Sequence, residues 1–325
     1  MRVAVLGAGS WGTALAIHLA RSGHDVLLWG RDPEVCAAIE ATRRHPGRLP
    51  GIAIPEGVHS TADLLRAFSH SETAVVAVPC AAFRPLFSGA PRARGPRRFL
   101  SAAKGIEPET LKRMSEIILE FQPEAEVAAL SGPTFADGIS RGDPSAAVVA
   151  GGNLARDLQK EFSSALFRLY SSDDLVGVEL AGALKNVVAI AAGIVSGLGF
   201  GHNTLAALVT RGLAEIGRIV RGHGGQERTV AGLAGIGDLM LTCTGRESRN
   251  RRVGEEIGRG RLASEVLGGM PEVAEGARTS LAMPKLAQAA GIEAPIAQAV
   301  VSVLYEGMPP REAVEQLMTR ALKAE

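Results

Sequence analysis

The chain is short of cysteine, lysine and net charge, and each shortage excludes something. Cysteine occurs three times in 325 residues, at Cys36, Cys80 and Cys243. The three are far apart and odd in number, and no CxxC pair exists. Neither a disulfide framework nor a structural zinc site is expected, and no metal. That usage fits a reducing, cytoplasmic compartment. Formal net charge is +1, which leaves no electrostatic footprint for nucleic acid or an anionic membrane surface. The start of the chain lacks a signal-peptide layout: only Arg2 precedes the first apolar run, and glycines break that run.

Long apolar runs are also scarce. One, Val187 to Val209, is long enough for a membrane span. Glycines, His202 and Asn203 interrupt it, and Lys185 abuts it. The pattern therefore predicts a buried helix pair in a soluble helical domain, without membrane insertion. No low-complexity linker and no internal repeat is present.

At this length about two domains are expected. The first half alternates β-rich runs with helical stretches. Strands are expected at Arg2–Leu6, Asp25–Trp29, Thr73–Val78, Arg97–Ala102, Glu126–Ser131 and Ser145–Ala150, with Phe167–Tyr170 as an edge strand. Helices are expected at Trp11–Ser22, Pro33–Thr42, Thr61–Phe68 and Glu109–Glu120. This alternation predicts an α/β Rossmann-type domain with a mostly parallel sheet. Near Ser171 the character changes to helices punctuated by glycine turns. The reading is an α/β domain over 1–174 and an all-α domain over 175–325.

Gly7-Ala8-Gly9-Ser10-Trp11-Gly12 matches GxGxxG. The pattern alone is weak, but here it follows an apolar strand, opens a helix, and a second strand comes at the expected distance. Gly7 permits the tight turn, Gly9 lets a pyrophosphate approach the backbone, and Gly12 lets helix and strand pack. The helix N-terminus offers N–H groups to phosphate. At the end of the second strand stand Arg31 and Asp32. Asp32 precedes Pro33 and reads as an N-cap with proline at N1. Arg31 is left to face the ribose, so NADPH is favoured over NADH, with both open.

Of six lysines against twenty-nine arginines, two stand out. Lys104 follows a strand end, where open α/β folds bind ligands. Lys185 sits within a small, apolar helix, where desolvation should lower its pKa toward a value useful for proton transfer. Spacing alone reads Lys185 equally well as a snorkelling lysine or one paired with Glu179.

Several segments, in order, resemble the bacterial NAD(P)-dependent glycerol-3-phosphate dehydrogenases. They are 7–16, 103–106, 130–136, 179–186, 232–239, 244–250 and 273–276. The resemblance implies a Rossmann domain followed by a helical domain. It implies reversible reduction of dihydroxyacetone phosphate to sn-glycerol 3-phosphate, feeding glycerophospholipid synthesis. It assigns Ser10, Trp11, Arg31, Ala136, Val273 and Glu275 to the cofactor. It assigns Gly132, Thr134, Asp238, Ser248 and Asn250 to substrate, Lys104 and Arg249 to both ligands, and Lys185 to proton transfer on the substrate. A loop such as Ser248-Arg249-Asn250 at a helix start suits a phosphate. Asp238 would repel it, and fits orienting Lys185 or accepting from a substrate hydroxyl.

From the residues alone, other readings stand beside these. Gly132-Pro133 reads as a turn, Arg246, Arg249, Arg251 and Arg252 as a solvated face, and Glu275 as a helix-surface charge. The 232–237 stretch is GxxGxG without a preceding strand, and is not read as a second nucleotide site. The chain also departs from the family's Asn-x-x-Tyr-Leu-Pro-like stretch: it reads His45-Pro46-Gly47-Arg48-Leu49-Pro50. Arg48 at the aromatic position would stack on adenine or meet a 2′-phosphate. A related reductase acting on a 2-keto or 3-hydroxy acid is the first competing function. The phosphate-type loop argues against it. A nonenzymatic NADP(H) sensor is the second, and it predicts a lost Lys185. The sequence is compatible with a homodimer through the helical half.

Overall fold

A computed structural model describes residues 1–90, 95–269 and 274–322. Val273, given to the cofactor by resemblance, lies outside them. The chain forms two compact units. One is Met1–Lys104 with Arg113–Val178, the other Gly105–Lys112 with Glu179–Glu325.

The first unit is built on an eight-stranded sheet of order β3-β2-β1-β4-β5-β6-β7-β8. Its strands are β1 Arg2–Leu6, β2 Asp25–Trp29, β3 Val58–Thr61, β4 Thr73–Val76, β5 Arg98–Ser101, β6 Glu126–Ser131, β7 Ser145–Ala150 and β8 Phe167–Ser172. Neighbours are parallel except β6 and β7. The helices are α1 Ser10–Arg21, α2 Pro33–Thr42, α3 Leu64–His70, α4 Phe83–Ser88, α5 Met114–Phe121, α6 Ala136–Arg141 and α7 Gly152–Phe162. Two cores cover the sheet. One joins α1 and α7 through Leu15, Ile17, Leu154 and Leu158. The other joins α3, α4 and α5 through Phe68, Phe87 and Ile117. Val3, Ala4, Val5 and Leu6 of β1 are all buried, because a parallel strand between two helical layers has no solvent face. β1 lies between β2 and β4, so the strand order reverses there, and ligands of such sheets bind beyond that switch point.

One strand and two helix starts differ most from expectation. β3 was not foreseen, since Val58-His59-Ser60-Thr61 lacks alternation. It forms through its register with β2, Val26 opposite Val58. The helix expected from Thr61 therefore starts at Leu64, capped by Asp63, which accepts the Arg66 N–H at 3.1 Å. The helix expected from Glu109 starts at Met114. Before it, Leu111 turns at φ 60° and Glu107 bonds Lys112. The expected cap is seen, with Asp32 accepting the Glu34 N–H at 2.9 Å.

The second unit is helical: α8 Leu175–Gly197, which belongs to it from Glu179 onward, α9 His202–Gly222, α10 Glu227–Val230, α11 Asp238–Thr244, α12 Arg249–Gly258, α13 Ala263–Gly268, α14 Glu275–Ala289, α15 Pro295–Tyr305 and α16 Pro310–Met318. α8 passes a length and hydropathy test for a span, but 94% of its most apolar window is buried within the protein. It is a core helix. The long apolar run breaks after Gly197 and resumes in α9.

α8 and α12 meet backbone to backbone. A Cβ on Gly254 would overlap the Ile190 carbonyl, and one on Gly258 the Ile194 carbonyl. From the other side, Gly193 and Gly197 lie against the carbonyls of Arg251 and Glu255. One rung earlier, Asn250 Nδ2 donates to Asn186 Oδ1 at 2.9 Å. The rungs 186:250, 190:254 and 194:258 advance four residues together, so the two helices run parallel in fixed register.

Candidate active site

In the first unit the glycine loop has the geometry that a dinucleotide requires. Gly7 sits at φ 126°, and a Cβ there would stand 2.8 Å from the Ala77 backbone, just past β4. A Cβ on Gly12 would overlap the Gly7 carbonyl. Gly9, the N-cap of α1, has nothing within 4 Å of its would-be Cβ. Its bare backbone borders open space beside the first N–H groups of α1, which lie outside the helix's own ladder. That cradle fits a pyrophosphate. Ser10 opens α1. The Trp11 indole donates to the Ala102 carbonyl at 3.0 Å, tying the start of α1 to the end of β5. Arg31 is exposed and follows β2 directly.

Lys104, Gly132 and Thr134 converge. Lys104 Nζ donates to the Gly132 carbonyl at 2.9 Å, and Thr134 Oγ1 donates to the same oxygen at 3.2 Å. Gly132 is more than a turn residue. At φ 142° its would-be Cβ stands 2.9 Å from Ala147 Cα, so only glycine lets β6 leave the sheet beside β7. Ala136 is the first residue of α6.

In the second unit the central feature is Lys185. It is 5% exposed and Asp238 1% exposed. Nζ donates to Asp238 Oδ1 at 2.9 Å and to Thr242 Oγ1. The Thr242 hydroxyl donates in turn to the Asp238 carbonyl at 2.7 Å, leaving its lone pairs toward the ammonium. Lys185 is therefore a paired lysine, with a buried carboxylate and a hydroxyl at its ammonium. Asp238 is held there by a π-helical turn, Leu233–Gly237, that runs into α11. This is what the 232–237 glycines do. A Cβ on Gly235 would overlap the Val230 carbonyl.

Ser248 caps α12, its Oγ accepting the Arg251 N–H at 3.2 Å. Arg249 opens that helix on an exposed position. Asn250 is committed at both ends: Nδ2 to Asn186, and Oδ1 to the Gly276 N–H at 2.9 Å. Gly276 follows Glu275, the first residue of α14. The sequence reading missed Thr242, Asn186 and Gly276. The first two lie four residues after Asp238 and one after Lys185, and that spacing was a usable signal. Gly276 carried only its position beside Glu275. Among the described residues no group of three or more His, Cys, Asp or Glu side chains could hold a metal.

A Rossmann unit with a glycine cradle, followed by a helical unit carrying a buried, paired lysine, defines a two-part nicotinamide-dependent dehydrogenase. Comparison with known proteins narrows this. The family model for the N-terminus of NAD-dependent glycerol-3-phosphate dehydrogenase matches residues 2–157, and that for its C-terminus residues 174–315. A glycerol-3-phosphate dehydrogenase [NAD(P)+] of Pelodictyon phaeoclathratiforme is 47% identical over all of this chain and 99% of its own length. One of a Geobacter species is 48% identical over all of this chain and 98% of its own length. The crystal structure of the Coxiella burnetii glycerol-3-phosphate dehydrogenase superposes with a TM-score of 0.92 at 36% identity, covering 98% of this chain and 99% of that one. The chain belongs to the NAD(P)-dependent glycerol-3-phosphate dehydrogenase family, and is an oxidoreductase.

Proposed function

We propose that the chain catalyses reversible NAD(P)H-dependent reduction of dihydroxyacetone phosphate to sn-glycerol 3-phosphate. The buried Lys185–Asp238–Thr242 cluster, in a member of this family, carries the reading. A bound nicotinamide supplies the hydride. Lys185 gives a proton to the C2 oxygen as the alcohol forms and takes it back in the oxidation. Asp238 and Thr242 hold the ammonium in place. Lys104, Gly132, Thr134, Ser248, Arg249 and Asn250 bind substrate. Asn250 does so as a rigid group, because its amide is already anchored. The cofactor takes Gly7, Gly9, Gly12, Ser10, Trp11, Arg31, Lys104, Ala136, Arg249, Val273 and Glu275, with NADPH favoured. We place the cofactor domain at 1–174 and the substrate domain at 175–325. Work in the cytoplasm, supply of glycerophospholipid synthesis and a homodimer complete the proposal.

The test is the oxidation of NADPH and of NADH, followed spectrophotometrically with dihydroxyacetone phosphate. Turnover with at least one is expected. No turnover with either overturns the proposal.

A further inference from the structure

Ala8 stands between the two loop glycines Gly7 and Gly9. Its carbonyl lies 2.8 Å from His45 Nε2. The other ring nitrogen fixes which partner donates. The Gly47 N–H, an obligate donor, lies 3.2 Å from His45 Nδ1. Nδ1 therefore accepts, the ring proton sits on Nε2, and Nε2–H donates to Ala8. Burial pushes the imidazole below its ordinary range; the Ala8 bond opposes this and Arg48 reinforces it. A neutral ring with this tautomer matches both backbone groups.

Two things follow from the bond. In a trans peptide the carbonyl and the next N–H point in opposite directions. Gripping the Ala8 carbonyl therefore turns the Gly9 N–H away from His45 and sets the peptide at the residue that borders open space. The bond also seats a second segment. Leu49, buried in the sheet core at φ 46°, and His45 pin the chain on either side of Arg48, which is half-buried. On its other flank Ala8 borders the end of β2. Its Cβ lies 2.9 Å from where a Cβ on Gly30 would stand, one residue before Arg31. Two arginine-bearing segments thus meet at one residue of the glycine loop.

We infer that His45 is a positioning residue of the dinucleotide site. By donating to the Ala8 carbonyl it sets the Ala8–Gly9 peptide and docks the Arg48 segment on the residue that borders Gly30 and Arg31. The arrangement suits a dinucleotide carrying a 2′-phosphate. The inference rests on the NAD(P) reading above.

The experiment measures Kd for NADPH and for NADH by fluorescence on the full chain, with thermal unfolding of each variant. His45→Ala is expected to weaken NADPH about tenfold and NADH about threefold, the scale of a lost hydrogen bond with and without a displaced charge. His45→Gln, which retains an amide donor, should recover most of both. Arg48→Ala should cost less in the His45→Ala background than in wild type. Should His45→Ala unfold, His45→Phe keeps the ring volume without its nitrogens. Unchanged NADPH binding, no recovery with His45→Gln, or additive losses would each overturn the inference. Wild type binding neither cofactor would overturn the NAD(P) reading. Wild type binding both, with His45→Ala unaffected, would overturn this inference alone.

Discussion

Lys185 Nζ and Asp238 Oδ1 lie 2.9 Å apart with both residues sealed from solvent. A buried pair of this kind makes different demands on chemistry and on stability. Lys185→Ala should keep cofactor binding and lose at least about a hundredfold in turnover, the low end of general acid catalysis. It should also cost about 3–5 kcal/mol, because Asp238 is left buried and uncompensated. Adding Asp238→Ala should restore part of the stability and none of the turnover. Steady-state kinetics and urea unfolding read the two effects apart. Unchanged turnover in Lys185→Ala would remove Lys185 from proton transfer.

Arg31 follows β2 on an exposed position, one residue after Gly30, which packs on Ala8 of the glycine loop. Arg31→Ala should raise the KM for NADPH by about tenfold, as for loss of one charge-assisted contact, and leave NADH within about twofold. Equal losses for both cofactors would mean that Arg31 does not read the 2′-phosphate.

Glu215, on α9, is buried and accepts the N–H groups of Ile296 and Ala297 at 3.1 and 3.0 Å, where α15 begins. Burial pushes its carboxyl up to about 7 against those two bonds. A carboxyl raised from 4.5 to about 7 holds its proton in the folded chain after the unfolded chain has lost it. Stability therefore falls as pH rises across that window, by up to about 3 kcal/mol from this group. The unfolding free energy of Glu215→Gln should lack that part of the slope. Parallel pH profiles for variant and wild type between pH 5 and 8 would contradict this.

Gly254 and Gly268 offer a paired test of the α8–α12 contact. A Cβ at Gly254 would run into the Ile190 carbonyl, whereas one at Gly268 meets nothing within 4 Å. Gly254→Ala should cost about 3 kcal/mol or more, since backbone must move. Gly268→Ala should be neutral or stabilise by about 0.5 kcal/mol through the unfolded state. Chemical unfolding of both variants decides it. Comparable stabilities would show that the helices part at little cost.

The parts of the molecule with local signals could be read before any coordinates. Val3–Leu6 is apolar without a break because β1 is covered on both faces, and Asp32 before Pro33 announced its cap. β3 was invisible because its only instruction is the neighbouring β2. Glu109 to Arg113 looked like the front of a helix because those residues tolerate one, whereas the chain there makes an irregular turn at Leu111 that no local pattern reports. At the site, Lys185 was noticed as a cation in an apolar helix, but its partner Thr242 lies fifty-seven residues away and carries no charge to mark it. His45 was seen only as part of a departure from a family pattern. Its bond to Ala8 spans thirty-seven residues, and no periodicity reports such a contact.

The glycine contacts between α8 and α12 act as a gauge. Side chains between two helices make their spacing depend on whichever residues happen to fill the gap. Here the spacing is main chain on main chain, so other positions on both helices can drift without moving the helices apart. Lys185 and Asn250 sit on the two arms of that gauge. Their separation is recorded in four glycines, Gly193, Gly197, Gly254 and Gly258, and a side chain added at any of them would press apart the arms that carry Lys185 and Asn250.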